Sequence, residues 1–298
     1  MTHTDARLLE GKPLAQALQT ELTDQVAALK TRGIALKLLT LEVGHDASSE
    51  VYVKRQGTGC RKVGIAHEIR TLPATTTQAE LAAQIDACNQ DAAISGVILQ
   101  LPLPKPLVAS AAQERLNPSK DVEGVHPENL GRLMSGLPAC APATALSAFH
   151  LIQAGVGGPL RGKQAVVVGR SQIVGRPLAL MLLNESCTVT VCHTGTRDLK
   201  AECLRAEILA VAAGKAGLVT GDMIQPGAVV VDVGTNSVEV DGKWSLVGDV
   251  DFASARRRAG VLTPVPGGVG PLTVMMLLRN LVRSAQMRAA AGAAGGVQ

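Results

Sequence analysis

Residues 166–177 read V-V-V-G-R-S-Q-I-V-G-R-P. Three valines in a row suit a strand buried on both faces, and Gly169 lets it end in a tight turn. Gly175 permits a close approach to a neighbouring strand or a ligand, and Pro177 stands where an early-helix proline costs little. A strand that passes through a glycine turn into a helix aims main-chain N–H groups and a helix N-terminus at one point, which suits a phosphate. The spacing is not G-x-G-x-x-G, so a plain strand–helix turn explains the same letters. Arg170 and Ser171 favour a nucleotide, because a guanidinium beside the turn can grip a ribose 2′-phosphate.

The same alternation extends in both directions. Downstream, apolar runs at 188–192, 208–212 and 228–233 read as strands, 174–184 as a helix and 270–287 as a closing helix. Upstream, helices are expected over 13–29, 48–62, 78–89 and 108–116, and strands over 36–43, 66–72 and 96–101. Between 117 and 158 the pattern weakens into Pro, Gly, Asn and His, with one helical piece at 145–154. This predicts an α/β chain of two domains. The N-terminal βα domain takes residues 1–145 plus the closing helix 270–288, and a Rossmann-like, doubly wound parallel sheet takes 146–269. The Ala/Gly-rich residues 289–298 are expected to be a disordered tail.

Composition narrows the function. Aromatic residues are 1% of the 298, so the cores must be built from Ala, Val, Ile and Leu, and no aromatic-basic stretch offers a platform for nucleic-acid bases. The net charge of +4 is scattered. Six cysteines form no CxxC pair and no zinc-like cluster, so reduced thiols and no metal are expected. The opening MTHTDARLLEGK lacks the layout of a signal peptide, and no apolar run has bilayer length, so a cytoplasmic protein without membrane contact is expected.

G-R-S-x-x-V-G-x-P at 169–177 resembles the cofactor signature of the methylenetetrahydrofolate dehydrogenase/cyclohydrolase family. Similar matches are V-T-V-C-H-T-G-T at 189–196, V-D-V-G-T-N at 231–236, G-D-V at 248–250 and T-P-V-P-G-G-V-G-P-L-T at 263–273. The last holds three prolines and three glycines in close order, so it is expected to be a rigid loop with exposed backbone donors rather than helix or central strand. In the N-terminal half, S-E-V-Y at 49–52 and I-L-Q-L-P-L-P at 98–104 match as well.

The resemblance implies NADP as cofactor, with Gly169, Arg170, Ser171, Ile173, Val174, Gly175, His193, Thr194, Thr196, Gly214, Gly234 and Thr235 around it. It implies a folate site of Tyr52, Gln56, Gln100 and Glu123, bordered by Ser49, Leu101, Pro102, Pro266, Gly267, Gly268, Gly270 and Thr273. Tyr52 would stack on the pterin, Gln100 would bond near the reacting centre, and the 264–270 loop would lie between nicotinamide and folate. Tyr52 taken alone suits core packing better, and the flanking matches favour the site. A homodimer is implied too.

Three segments around the folate half depart from the family. Gln56 stands at the family's catalytic lysine, one helical turn after Tyr52. K-D-V-E-G at 120–124 puts Glu123 where the family has a pterin-binding Asp, and C-A-P-A-T at 140–144 loses a hydroxyl and a glycine. An amide cannot titrate, whereas hydride transfer needs orientation rather than a protein base. The expectation is therefore oxidation of 5,10-methylenetetrahydrofolate to the methenyl form, with cyclohydrolase activity weak or absent. The alternatives are the full bifunctional enzyme giving 10-formyltetrahydrofolate, a paralogue with a related substrate, and an idle nucleotide-binding protein.

Overall fold

The computed structural model of the protein describes residues 5–45, 47–240 and 243–295. Among the described residues, eleven strands and ten α-helices follow in the order β1 (Arg7–Leu8), α1 (Gly11–Thr31), β2 (Lys37–Val43), α2 (Ala47–Val63), β3 (Ala66–Leu72), α3 (Gln78–Gln90), β4 (Gly96–Leu99), α4 (Ala109–Arg115), α5 (Pro127–Met134), α6 (Ala143–Val156), β5 (Gln164–Val168), α7 (Gly175–Asn184), β6 (Thr188–Cys192), α8 (Leu199–Cys203), β7 (Ile208–Val211), β8 (Val229–Asp232), β9 (Asn236–Val240), β10 (Lys243–Val247), α9 (Phe252–Ala255), β11 (Val261–Leu262) and α10 (Gly270–Gly295). The chain divides into two compact units. One takes the described parts of Met1–Ala15 and Thr144–Thr273, the other those of Gln16–Ala143 and Val274–Gln298.

The first unit is built on six parallel strands in the order β1-β11-β8-β7-β5-β6. Every residue of β7 and β8 is buried, which is why they read as unbroken apolar runs instead of alternating ones. Val166, Val168, Leu209, Val211 and Val230 meet in one core without an aromatic side chain. β5 pairs with β6 on one side and β7 on the other, so the strand order reverses there and opens a crevice at the carboxyl ends. Strands β9 and β10 form a separate antiparallel hairpin.

The second unit has a parallel sheet ordered β3-β2-β4. The pleat of β2 sends Leu39, Leu41 and Val43 into a core with Leu81, Ile85 and Cys88 of α3. Thr40 points to the opposite face, where α2 packs. A capping box between Thr77 and Glu80 starts α3. Gly59 of α2 lies so close to Val274 of α10 that a side chain there would collide with it. Asn280 of α10 is buried and donates from Nδ2 to the Val122 and Ala141 carbonyls at 2.8 Å each, tying two loops to the helix. All six cysteines are buried and free.

Two boundaries differ from expectation. Residues 5–15 lie with the six-strand unit, because β1 pairs with β11, and a strand of two residues carries no periodicity to read. Helix α10 runs on to Gly295 where a disordered tail was expected, since alanine is the strongest helix former and outweighs the intervening glycines. Residues 296–298 lie outside the described residues.

Asn280→Ala should leave two buried carbonyls unpaired and lower stability by about 2–4 kcal/mol, read as a lower unfolding midpoint in urea.

Candidate functional site

In the six-strand unit the site begins at the strand-order reversal. Gly169 follows β5 with φ of 120°, and a Cβ there would strike the Ala212 carbonyl that follows β7. A Cβ on Gly175 would strike the Gly169 carbonyl. Both glycines are therefore required by backbone packing, and they bring the N-terminus of α7 against the turn. Ser171 Oγ accepts from the Gly175 N–H at 3.4 Å, while Arg170 and Ile173 stay exposed and Val174 is buried.

Beyond β6, His193 N–H donates to Thr196 Oγ1 at 2.9 Å and Gly195 N–H donates to His193 Nδ1 at 3.0 Å. This folds the 193–196 turn and leaves Thr194 exposed. Asp249 accepts from the N–H groups of Ala213, Gly214 and Lys215 at 2.6, 2.8 and 2.9 Å and from Asn236 Nδ2 at 2.8 Å. Asp232 accepts from Gly234, Asp249 and Val250 N–H groups at 2.9–3.0 Å, and burial pushes its pKa up to about 6 against those bonds. Gly234 has no room for a Cβ beside the Asp249 carboxyl, and Thr235 next to it is exposed.

The 264–270 segment is packed rather than open. Gly268 N–H is spent on the Pro264 carbonyl, and Gly11 N–H donates to the Gly267 carbonyl, both at 2.8 Å. Pro266 and Gly270 remain exposed, and Thr273 Oγ1 bonds back to the Val269 carbonyl at 3.4 Å.

In the three-strand unit, Tyr52 and Gln56 lie one turn apart on α2. Gln56 is fully buried. Its Oε1 accepts from the Thr40 hydroxyl at 2.9 Å, and its Nε2 is buried with no hydrogen-bond partner in the protein. That nitrogen stands beside the Tyr52 hydroxyl, near enough to favour the phenolate slightly, without normal hydrogen-bond geometry. Burial and the nearby Glu123 outweigh it and raise the Tyr52 pKa to about 12. Lys54 is exposed and paired with Glu50 at 2.6 Å. Gln100, after β4, donates to the Leu101 carbonyl at 3.0 Å and keeps a buried, unpartnered Oε1. Leu101 and Pro102 are exposed.

Glu123 sits on a loop fastened from both sides. Lys120 Nζ caps the Cys88 and Asp91 carbonyls at 2.7 Å each, and Asp121 accepts from Gly124 N–H, His126 N–H and Asn129 Nδ2 at 3.0, 2.8 and 2.9 Å. Gly124 has φ of 71° and abuts the Ala141 backbone. Apolar surroundings, with Asp121 adding to them, push the Glu123 carboxyl up to about 8. The orphaned amide nitrogen of Gln56 and this carboxyl, both beside Tyr52, make a polar, desolvated set of the kind a ligand completes.

Residues 9–123 match the catalytic domain of the tetrahydrofolate dehydrogenase/cyclohydrolase family, and residues 142–289 match its NAD(P)-binding domain. The chain belongs to this family. Bifunctional protein FolD 2 of Geobacter sulfurreducens is 47% identical over 284 residues, covering 95% of this chain and 98% of that protein. The crystal structure of the bifunctional FolD methylenetetrahydrofolate dehydrogenase/cyclohydrolase from Campylobacter jejuni aligns with a TM-score of 0.90 at 43% identity, over 95% of this chain and 99% of that one. The Trypanosoma brucei FolD, complexed with NADP cofactor and inhibitor, aligns at 0.89 with 38% identity over 96% and 99%.

The family's two domains correspond to the two units. Gln56 and Glu123 both lie close to Tyr52, and the residues named for the cofactor all lie in the NAD(P)-binding unit. Pro266, Gly267, Gly268, Gly270 and Thr273 belong to that same unit, so the implied folate set is divided between the two. The Ser49 side chain lies outside the described residues. Asp232 and Asp249 stood inside the V-D-V-G-T-N and G-D-V matches without a role of their own, and Thr40 and His67 had not been singled out. A lone acid closing an apolar strand was the available signal for Asp232, and a lone hydroxyl inside L-L-T-L was the signal for Thr40.

A carboxyl whose folded pKa is raised favours the fold below its unfolded pKa and loses that contribution as pH rises to the folded value. The midpoint of thermal unfolding of the wild type should therefore fall between about pH 5 and pH 8 relative to Glu123→Gln.

Proposed function

We propose that the chain oxidises 5,10-methylenetetrahydrofolate with NADP and also hydrolyses the methenyl product to 10-formyltetrahydrofolate. The extent of the family match carries this reading, because both domains are matched and relatives named as bifunctional align over nearly the whole chain. Those relatives favour the bifunctional enzyme over the dehydrogenase-only expectation drawn from Gln56.

The residues present fit NADP. Gly169 and Gly175 let the turn after β5 close against α7, the ten-residue α7 presents its N-terminus there, and Arg170 and Thr194 are exposed for a 2′-phosphate. NADP, when bound, supplies the hydride acceptor. Tyr52 stacks on the pterin, Glu123 bonds its polar edge, and Gln100 and Gln56 orient the ring. Methylene oxidation leaves an amidinium-like cation and needs no protein base. Hydration needs water positioned and one proton removed, and Glu123, poised near 8, offers a titratable group that Gln56 does not.

One observation favours a second reading, dehydrogenase with weakened hydrolysis: the side chain at position 56 is an amide held by Thr40. The absorbance decay of added methenyltetrahydrofolate separates the two. Hydrolysis well above the buffer rate supports the bifunctional enzyme. A rate equal to buffer that rises in Gln56→Lys would establish the second reading, since a general acid–base group contributes about 100- to 10,000-fold.

We also propose a cytoplasmic homodimer, supported by the family and by the apolar strands of the NAD(P)-binding unit. Among the described residues no helix is long and apolar enough to cross a membrane.

Arg170→Ala should weaken NADP binding by about 1–3 kcal/mol and leave NAD binding nearly unchanged, measured by titration calorimetry with each cofactor.

A further inference from the structure

The Thr40 hydroxyl touches two side chains that the reaction does not obviously join. Its Oγ1 lies 2.9 Å from Gln56 Oε1 and 2.9 Å from His67 Nε2. The row Tyr52, Gln56, Thr40, His67 thus runs from α2 through the central strand β2 to the edge strand β3. His67 is half-buried at its far end and lines a cavity of about 570 Å³ with Glu42, His45, Glu50, Lys54 and Arg61. Solvent therefore reaches one end of the row, while the other end is the unpartnered Gln56 amide nitrogen beside Tyr52.

Hydrogen-bond counting restricts this row. A threonine hydroxyl has one proton to give. With Gln56 Oε1 turned toward it, Thr40 must donate to Gln56, so His67 Nε2 must carry a proton and donate to Thr40. The Gln56 NH₂ then faces Tyr52. A protonated His67 allows only this direction, because both ring nitrogens are donors. A neutral His67 can present Nε2 as an acceptor. Thr40 then donates to His67, the amide turns over to donate to Thr40, and Oε1 faces Tyr52.

We propose that Thr40 and His67 are positioning residues of the folate pocket, which set whether Gln56 presents its NH₂ or its carbonyl oxygen beside Tyr52. This rests on the reading that the pocket oxidises a methylene-bridged folate. In that step the bridge C–H bond breaks, both electrons leave with the hydride to the nicotinamide, and the folate is left as a cation. A carbonyl oxygen facing the developing positive charge favours it, and an NH₂ opposes it. Loss of the proton from His67 Nε2 makes the second arrangement available and therefore raises turnover.

The groups that face His67 are Glu42 and Thr40 from β2, Glu50, Lys54 and Arg61 from α2, and His45 from the loop between them. Glu68 and Arg70, its neighbours on β3, pair with each other, Glu68 also with Lys37. Burial and then Arg61 hold the His67 pKa below its ordinary value, which places the titration on the acid side of neutrality.

The test uses the full chain. With methylenetetrahydrofolate and NADP, the wild-type kcat should rise with pH through one inflection below about 6.5. His67→Gln keeps a neutral partner for Thr40 and should lose the inflection while remaining active. Thr40→Val should lower kcat by about three- to tenfold, with little change in KM for NADP, and Thr40→Ser should restore it. In ¹H–¹⁵N spectra the Gln56 side-chain amide should shift with the same midpoint as the His67 ring in wild type and become independent of pH in His67→Gln. An inflection that persists in His67→Gln, or a Gln56 amide that ignores the His67 titration, overturns the proposal. A wild type that reduces no NADP at any pH defeats the functional reading instead, and the amide titration still decides the relay.

Discussion

Parallel strands end in loops whose main-chain N–H groups have no strand to pair with, and a ligand-binding crevice keeps such loops partly dry. This protein meets that constraint with buried aspartates. Asp249 collects three consecutive N–H groups after β7 and the Asn236 amide, and Asp232 collects three more around 234–250. Asp121 does the same for the loop that carries Glu123. Charge-assisted bonds to main-chain donors are roughly twice as strong as neutral ones and hold a loop without closing its outer surface. The loops are therefore rigid on the inside and free on the outside, as a binding surface needs to be.

The folate-side unit applies the opposite rule to its functional groups. Gln56 and Gln100 each leave one amide atom buried and unpaired, and Glu123 and Tyr52 are both pushed toward their neutral forms. Buried polar atoms without partners cost stability. The supporting shell offsets that cost: Lys120, Asp121 and Asn280 are fully bonded around them. An uncharged, unsatisfied lining suits a ring system that becomes a cation, because among the described residues Tyr52, Gln56, Gln100 and Glu123 bring no positive charge to oppose it. A lysine at position 56 would carry one unless its own pKa were depressed.

An amide at position 56 bears on what the pocket can be coupled to. An amine is its own titrating group, whereas an amide takes its orientation from whatever it is bonded to. Thr40 and His67 place that control two residues away, at a solvent-filled cavity, within hydrogen-bond lengths of 2.9 Å.

The sequence by itself determined the strand–helix alternation, because buried parallel strands are unbroken apolar runs and helices alternate with them at a different period; β3 and β6 were read to the residue. It also determined the glycine turn after β5, since the positions of Gly169 and Gly175 tolerate no other side chain. Short elements escaped it. β1 and β11 have two residues each, and α5 begins on a histidine cap whose ring nitrogen accepts from Glu128, a signal no local pattern announces. Only the tertiary structure decided that residues 5–15 join the second half of the chain, since strand pairing across some 250 residues leaves no local trace. Likewise Gln56 read as a missing amine, and its partners could not be named, because Thr40 and His67 reach it only once β2 and β3 lie side by side. Residue types announce what a site lacks, and packing alone decides what stands in its place.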